Sequence, residues 1–144
     1  MNHLNLDMLQ QKAADIARAN KMLAEYATIH RDKFLQDETL LSAAKYQLIV
    51  AIEAAQNICN HIAARVAKKA PVSYSDCYMI LSEESIIDKE LAMRLAQMAK
   101  FSNLLVHRYG NIDDRRVYDV ITGGNLGDLQ IFLTEISKMV GESL

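Results

Sequence analysis

The residues best suited to chemistry are His107 and Tyr109, which lie two positions apart in the stretch FSNLLVHRYGNIDDRRVYD, residues 101–119. An imidazole can act as a general base or acid near neutral pH, here with a phenol beside it. Residues i and i+2 of a continuous helix do not face each other, so these two converge only if the chain turns, as Gly110 permits. The alternative is a helix C-terminus on which His107 and Arg108 suit the negative end of the helix dipole, next to a half-buried tyrosine.

Basic residues surround this pair in a chain whose net charge is −2. Phosphate contacts supply most of the affinity for nucleic acids, so a cationic cluster beside one histidine is what a phosphodiester site needs. The alternative is an ordinary solvated surface. The nearby charged residues are Lys100, Arg108, Arg115 and Arg116, against Asp113 and Asp114, and a second basic group ends another helix at Arg65, Lys68 and Lys69.

A polar line on the second predicted helix is a weaker signal. Glu53, Asn57 and His61 are spaced by four residues, so they share one face. Such a line faces water, a partner or a cleft, and the solvent stripe, with Gln56 and Asn60 beside it, is its simplest interpretation.

The elements that must position these residues are helices. All five glycines follow residue 109 and the only proline is Pro71, which favours helices over sheets. We predict an all-α, antiparallel bundle of four to five helices in a single domain, 1–144. Apolar spacing predicts helices over about 4–34, 39–69, 88–109, 115–121 and 126–140, and a short one after residue 73. Asp37 and Ser73 are predicted N-caps, and Gly110 is predicted to close its helix in a left-handed conformation.

Several classes of protein are made less favourable by what the sequence lacks. It contains no Gly-rich phosphate loop, no HExxH or GxSxG motif and no carboxylate pair at metal spacing, so neither a metal nor a cofactor is expected. Cys59 and Cys77 stand in helical contexts and are expected to be reduced, packed thiols. Without a leader or an apolar run near 18 residues, we expect a cytoplasmic protein with no membrane contact.

Four segments, in their order and spacing, resemble a known family. They are YQLIVAIEAAQNICNHIAARV (46–66), APVSYSDCYMIL (70–81), LAMRLAQMAKFSNLLVHRYGNIDDRRVYDVI (91–121) and NLGDLQIFLTEI (125–136). Together they resemble the HepT toxins of the HEPN ribonuclease superfamily, over nearly the whole chain beyond the first helix. The family signature is an arginine, four to six residues, a histidine, any residue and a tyrosine.

His107 and Tyr109 match that signature, but its arginine is missing. The four-residue spacing falls on Ser102, and the longer spacings fall on Phe101 or Lys100. Asn103 fits the small polar residue that commonly follows the arginine, so the resemblance assigns the catalytic positions to His107, Ser102 (in place of the arginine) and Asn103. A serine lacks the fixed cation and planar fork of an arginine, so this chain is expected to be weak or inactive.

The resemblance implies a dimeric, metal-independent RNA endonuclease that acts on tRNA and uses no cofactor. His107 would take the proton of a ribose 2′-hydroxyl, and the two copies of His107 in the homodimer could serve as base and acid in one cleft. It also implies a partner, an MNT-type nucleotidyltransferase antitoxin that adds AMP to Tyr109, which brings charge and bulk into the cleft. The residues expected to bind RNA are Lys100, Arg108, Arg115 and Arg116.

Two other functions compete with the nuclease. One is a non-catalytic helical dimer that only binds the antitoxin or RNA. The other is a substrate-binding HEPN domain that serves a nucleotidyltransferase and would itself bind nucleotide.

Overall fold

The computed structural model describes residues 4–144, and of Tyr109 only the backbone. Its regular elements are all helical, which confirms the all-α prediction. Five of the α-helices have ten or more residues, in agreement with a bundle of four to five. The helices are α1 (Leu6–Ala27), α2 (Arg31–Gln36), α3 (Glu38–Ile62), α4 (Tyr74–Glu83), α5 (Lys89–His107), α6 (Asp114–Thr122) and α7 (Asn125–Val140).

Helix α3 is the centre of the bundle, in contact with α1, α2, α4, α5 and α6. Leu48, Ile52 and Cys59 on its apolar face are fully or almost fully buried. Asp37 caps its N-terminus, because the carboxylate accepts a hydrogen bond from the amide of Leu40 at 3.0 Å, as predicted. The covering of α3 on several sides follows from its apolar residues on more than one face.

The predicted first helix is wrong in its length, because the chain breaks at Thr28 and resumes as α2. The Thr28 hydroxyl donates to the carbonyl of Glu25 at 2.7 Å. From the far end of the chain, the Tyr118 hydroxyl donates to the carbonyl of Ile29 at 2.8 Å, and its ring packs 5.0 Å from that of Phe34. The break is thus held by a tertiary contact with α6, which cannot be predicted from the residues around the break.

The end of α3 also differs from the prediction of a helix through residue 69. The α-helical pattern stops at Ile62, and a π-helical turn, Ala63–Ala67, follows. Lys68 then adopts the left-handed conformation (φ 55°), and the amide of Lys69 donates to the carbonyl of Ala63 at 3.1 Å. This is the closure of a helix C-terminus in which a lysine takes the place usually given to glycine.

Two ion pairs hold the helices around α5. Asp128 of α7 is buried and accepts a hydrogen bond from the Arg94 guanidinium at 3.0 Å. Lys45 of α3, also buried, lies 3.1 Å from the carboxylate of Asp114 at the start of α6. The first pair joins α7 to α5, the helix that carries His107, and the second joins α6 to α3. Within residues 4–144, no helix is long and apolar enough to cross a membrane.

Candidate active site

His107 is the last residue of α5, and its side chain is exposed. Buried Leu105 anchors the final turn of the helix in the core. The amide of Arg108 donates to the carbonyl of Leu104 at 2.8 Å, after which the backbone leaves the helix. The imidazole is therefore presented to solvent from a rigid helical end.

The chain turns after His107, as the pairing with Tyr109 requires, but not by the predicted mechanism. A short 3₁₀ turn, Tyr109–Asn111, follows the helix, and the amide of Asn111 donates to the carbonyl of Arg108 at 2.8 Å. Gly110 is not left-handed, so the prediction of a glycine closure is wrong. A 3₁₀ turn is another common way to pair carbonyls at the end of a helix. The predicted role of the Tyr109 side chain falls outside what the structure describes.

Lys100, Asn103 and His107 share one exposed face of α5. At about 100° per residue, residues seven apart on a helix are almost in line. Lys100 and Asn103 also line an open groove of about 650 Å³ between α5 and the N-terminal end of α4. Its lining residues are Ser73, Tyr74, Ser75, Ala99, Lys100, Asn103 and Leu104.

Ser102 lies on a different side of α5 from His107. It is 1% exposed, and its hydroxyl is buried with no hydrogen-bond partner among the described residues. A separation of five residues turns the helix by about 140°, so the two side chains do not point into one space within a single chain. At position 100, which six intervening residues separate from His107 in the longest signature spacing, the chain instead has an exposed cation on the face of His107.

The four basic residues expected to bind RNA have different surroundings. No ion pair joins Lys100 or Arg108 to a carboxylate within the described part of the chain. Arg115 is engaged by Asp113 at 2.8 Å, and its hydrogen bonds hold the pKa of that carboxyl below the usual value. The guanidinium of Arg116 lies over the ring of Phe101, 5.0 Å from its centroid.

Of the polar line on α3, Glu53 reaches this site, because its carboxylate acts on the phenol of Tyr74, which lines the groove. Asn57 is exposed, and the His61 imidazole accepts a hydrogen bond from the amide of Asn5 at 3.0 Å, which attaches the start of α1 to α3. Gln56, expected beside the solvent stripe, is fully buried and donates to the Asn60 side chain at 3.2 Å. The interpretation as surface therefore holds for Asn57 but is wrong for Gln56.

The groove between α4 and α5 is not predicted by any pattern in the sequence. Ser73 was predicted as an N-cap, and its hydroxyl does accept from the amide of Asp76 at 3.0 Å. Tyr74, the next residue, is 45% exposed, and burial together with the carboxylate of Glu53 raises the pKa of its phenol. An aromatic residue in the first turn of a short helix next to a capping serine was the one available signal. Elsewhere in the described chain, no three His, Cys, Asp or Glu side chains form a group suited to a metal ion.

Comparison with known proteins defines the class. Residues 16–136 match the family HepT-like, described as Ribonuclease HepT-like, and the chain belongs to that family. The predicted resemblance and the ribonuclease class are thereby confirmed. The mRNA nuclease HepT of Shewanella oneidensis is 28% identical over 132 residues, which cover 90% of this chain and 96% of that protein.

Two further relatives agree. The tRNA nuclease HepT of Aphanizomenon flos-aquae is 25% identical over 124 residues, covering 85% of this chain and 83% of that protein. A solved structure of the tri-AMPylated Shewanella oneidensis HEPN toxin in complex with MNT antitoxin superposes with a TM-score of 0.84 at 27% identity. The superposition covers 94% of this chain and 99% of the toxin, so the fold is shared from end to end.

Proposed function

We propose that this chain is the RNA-cleaving toxin of a toxin–antitoxin pair and that His107 carries the catalytic proton. The observation that carries the proposal is the exposed imidazole at the end of α5, in line with Lys100 and next to Asn103, in a member of the ribonuclease HepT-like family. Both histidine and phosphate-binding groups are then offered on one surface.

The reaction needs one base and one acid. An imidazole of His107 takes the proton of a ribose 2′-hydroxyl, and the freed oxygen attacks the adjoining phosphorus. The bond to the 5′-oxygen of the next nucleotide breaks, and that oxygen takes a proton from the imidazolium of His107 of a second copy of this chain. The products are a 2′,3′-cyclic phosphate and a 5′-hydroxyl, and general acid–base catalysis of this kind contributes about 10²–10⁴-fold.

The phosphate is held by cations on the same surface. Lys100 and Arg108 have no carboxylate partner among the described residues, whereas Arg115 is tied to Asp113 and contributes less. Ser102 cannot replace an arginine in stabilising charge on the phosphoryl oxygens, and loss of one such group costs about 10²–10³ in rate. We therefore propose that the chain cleaves slowly and that Lys100 supplies part of the missing charge.

The substrate is RNA of the cytoplasm. One relative bears the name of an mRNA nuclease and another that of a tRNA nuclease. We propose tRNA, whose single-stranded loops expose a ribose 2′-hydroxyl free to align with the phosphate.

The partner is an MNT-type nucleotidyltransferase that transfers AMP to Tyr109. A tri-AMPylated toxin bound to MNT antitoxin is among the structural relatives. An added AMP places negative charge next to His107, where RNA phosphate must bind. Intact-mass measurement after co-expression with the neighbouring antitoxin gene should show AMP on the chain but not on a Tyr109→Phe variant. Equal AMP on both would remove Tyr109 from the proposal.

Cleavage itself is tested with His107→Ala against a matched histidine. His30 is exposed and its Nδ1 accepts from the amide of Asp32 at 3.3 Å, so His30→Asn keeps a capping side chain. In the Ser102→Arg background, overexpression of the chain and of its His30→Asn variant should arrest growth and cut tRNA, and the His107→Ala variant should do neither. Arrest and cleavage that survive His107→Ala would refute the enzyme. Arrest without any RNA cleavage would favour the non-catalytic helical dimer.

A further inference from the structure

We infer that the groove between α4 and α5 is a nucleotide subsite, in which Tyr74 stacks on a base of the RNA strand next to the cleaved bond. The inference rests on the proposed function, because it assigns the neighbouring nucleotide of the same substrate. The occupant is one nucleotide of single-stranded RNA.

The groove lies one helical turn along α5 from the proposed catalytic residue. Lys100, Asn103 and Leu104 line it from α5, and His107 follows one turn later on the same face. A strand whose scissile phosphate lies at His107 must therefore run along this face in one of its two directions. At the groove, this face is enclosed on a second side by the start of α4.

The chemistry of the lining matches a nucleotide. Tyr74 is 45% exposed, and Leu104 adds apolar surface to the same groove. Aromatic rings are the usual platforms on which unpaired RNA bases stack. Lys100 offers a cation with no carboxylate partner among the described residues, suited to the phosphate of that nucleotide. A volume of about 650 Å³ is in the range of small-molecule sites.

The backbone that carries Tyr74 is also held in place. Burial, together with the carboxylate of Glu53 on α3, raises the pKa of the Tyr74 phenol. Ser75, the next residue, donates from its hydroxyl to the carbonyl of Ala96 at 3.4 Å, which joins α4 to α5 at this point. A ring on a fixed backbone loses less conformational freedom when a base stacks on it, which favours binding. Asn103 adds an amide that can donate to and accept from a base edge.

The test measures binding separately from cleavage. A fluorescent single-stranded 2′-O-methyl RNA oligonucleotide cannot be cut, because its 2′-oxygen is blocked, so its Kd can be measured on the full chain by anisotropy. Tyr74→Ala should raise the Kd about tenfold, as expected for the loss of one stacking platform. Tyr74→Phe keeps the ring and should stay within about threefold of the native chain. Tyr46→Ala is the matched control, since Tyr46 is 62% exposed on α3 and does not line the groove.

An unchanged Kd in Tyr74→Ala would overturn the subsite. So would a weakened Kd accompanied by loss of the dimer in sedimentation, because the groove would then be a contact between two copies. The two proposals fail separately. If RNA binding depends on Tyr74 but the chain cuts no RNA, the nuclease is refuted and the subsite stands. If the chain cuts RNA and Tyr74→Ala leaves the KM unchanged, the subsite is refuted and the nuclease stands.

Discussion

Replacing Ser102 by alanine should stabilise this protein. The hydroxyl of Ser102 is buried at 1% exposure without a hydrogen-bond partner among the described residues. A buried, unpaired polar group costs about 1–3 kcal/mol, and alanine adds roughly 0.5 kcal/mol of helix propensity. Allowing for the small space left by the oxygen, we expect about 1 kcal/mol more stability and a Tm higher by about 2–4 °C.

Ser75 supplies the control for this measurement. Its hydroxyl also lies in a helix but donates to the carbonyl of Ala96 at 3.4 Å. Chemical and thermal unfolding should show Ser102→Ala above the native chain and Ser75→Ala at or below it. A loss of 1 kcal/mol or more in Ser102→Ala would refute the reasoning, because it would mean that the hydroxyl is satisfied in the folded protein.

Replacing Ser102 by arginine should lower the stability of the protein and raise its rate of RNA cleavage. Ser102→Arg forces a long cation into a packed interior face of α5, which should cost about 2 kcal/mol or more. If position 102 is that of the signature arginine, tRNA cleavage should nevertheless rise by about 10²–10³. Ser102→Met, which adds bulk without charge, should be destabilised without the gain in rate. Equal and robust cleavage by the native chain and Ser102→Arg would remove Ser102 from the account.

Two further outcomes follow from the described side chains. The His61 imidazole accepts from the amide of Asn5, and burial, with Arg65 adding to it, lowers its pKa below the usual 6.5. As the pH falls, the unfolded chain then binds the proton before the folded protein does. The stability that His61 contributes should be full above pH 6.5, fall as the pH drops through that value and level off below the folded pKa. Thermal melts of His61→Gln should lack this pH dependence, and identical pH profiles of the two proteins would contradict the assignment. Cys59 and Cys77 are both buried, and burial raises the pKa of the Cys59 thiol far above its usual range. Both thiols should therefore resist iodoacetamide until the protein unfolds, and rapid labelling of either in the native protein would show that the packing is wrong.

Much of the scaffold could be predicted because it is encoded locally. Apolar residues at helical spacing identified α3, α5 and α7, and the caps at Asp37 and Ser73 were correct because each needs only one side chain and an amide three residues later. What failed depends on distant residues. The break after α1 is held by Tyr118, which lies 89 residues from the Ile29 carbonyl that it contacts.

The candidate site likewise has features that follow from helical periodicity and one feature that depends on tertiary packing. Exposure of His107 and its alignment with Lys100 could be read from helical periodicity, which needs no tertiary information. The burial of Ser102 follows from the same periodicity, since position 102 continues the buried face with Leu95 and Met98. The groove beside Tyr74 could not be predicted, because it exists only where two helices meet.

Mixed dimers test the central claim, that two copies of His107 act as base and acid in one cleft, most directly. Two Ser102→Arg protomers that carry different tags, one with His107 and one with His107→Ala, can be co-expressed and the mixed dimer isolated. If each cut uses both imidazoles, the mixed dimer should cleave tRNA about 10²-fold or more slowly than the Ser102→Arg dimer that has both copies of His107. A mixed dimer that retains half of that rate, or a monomer that cleaves on its own, would contradict the account.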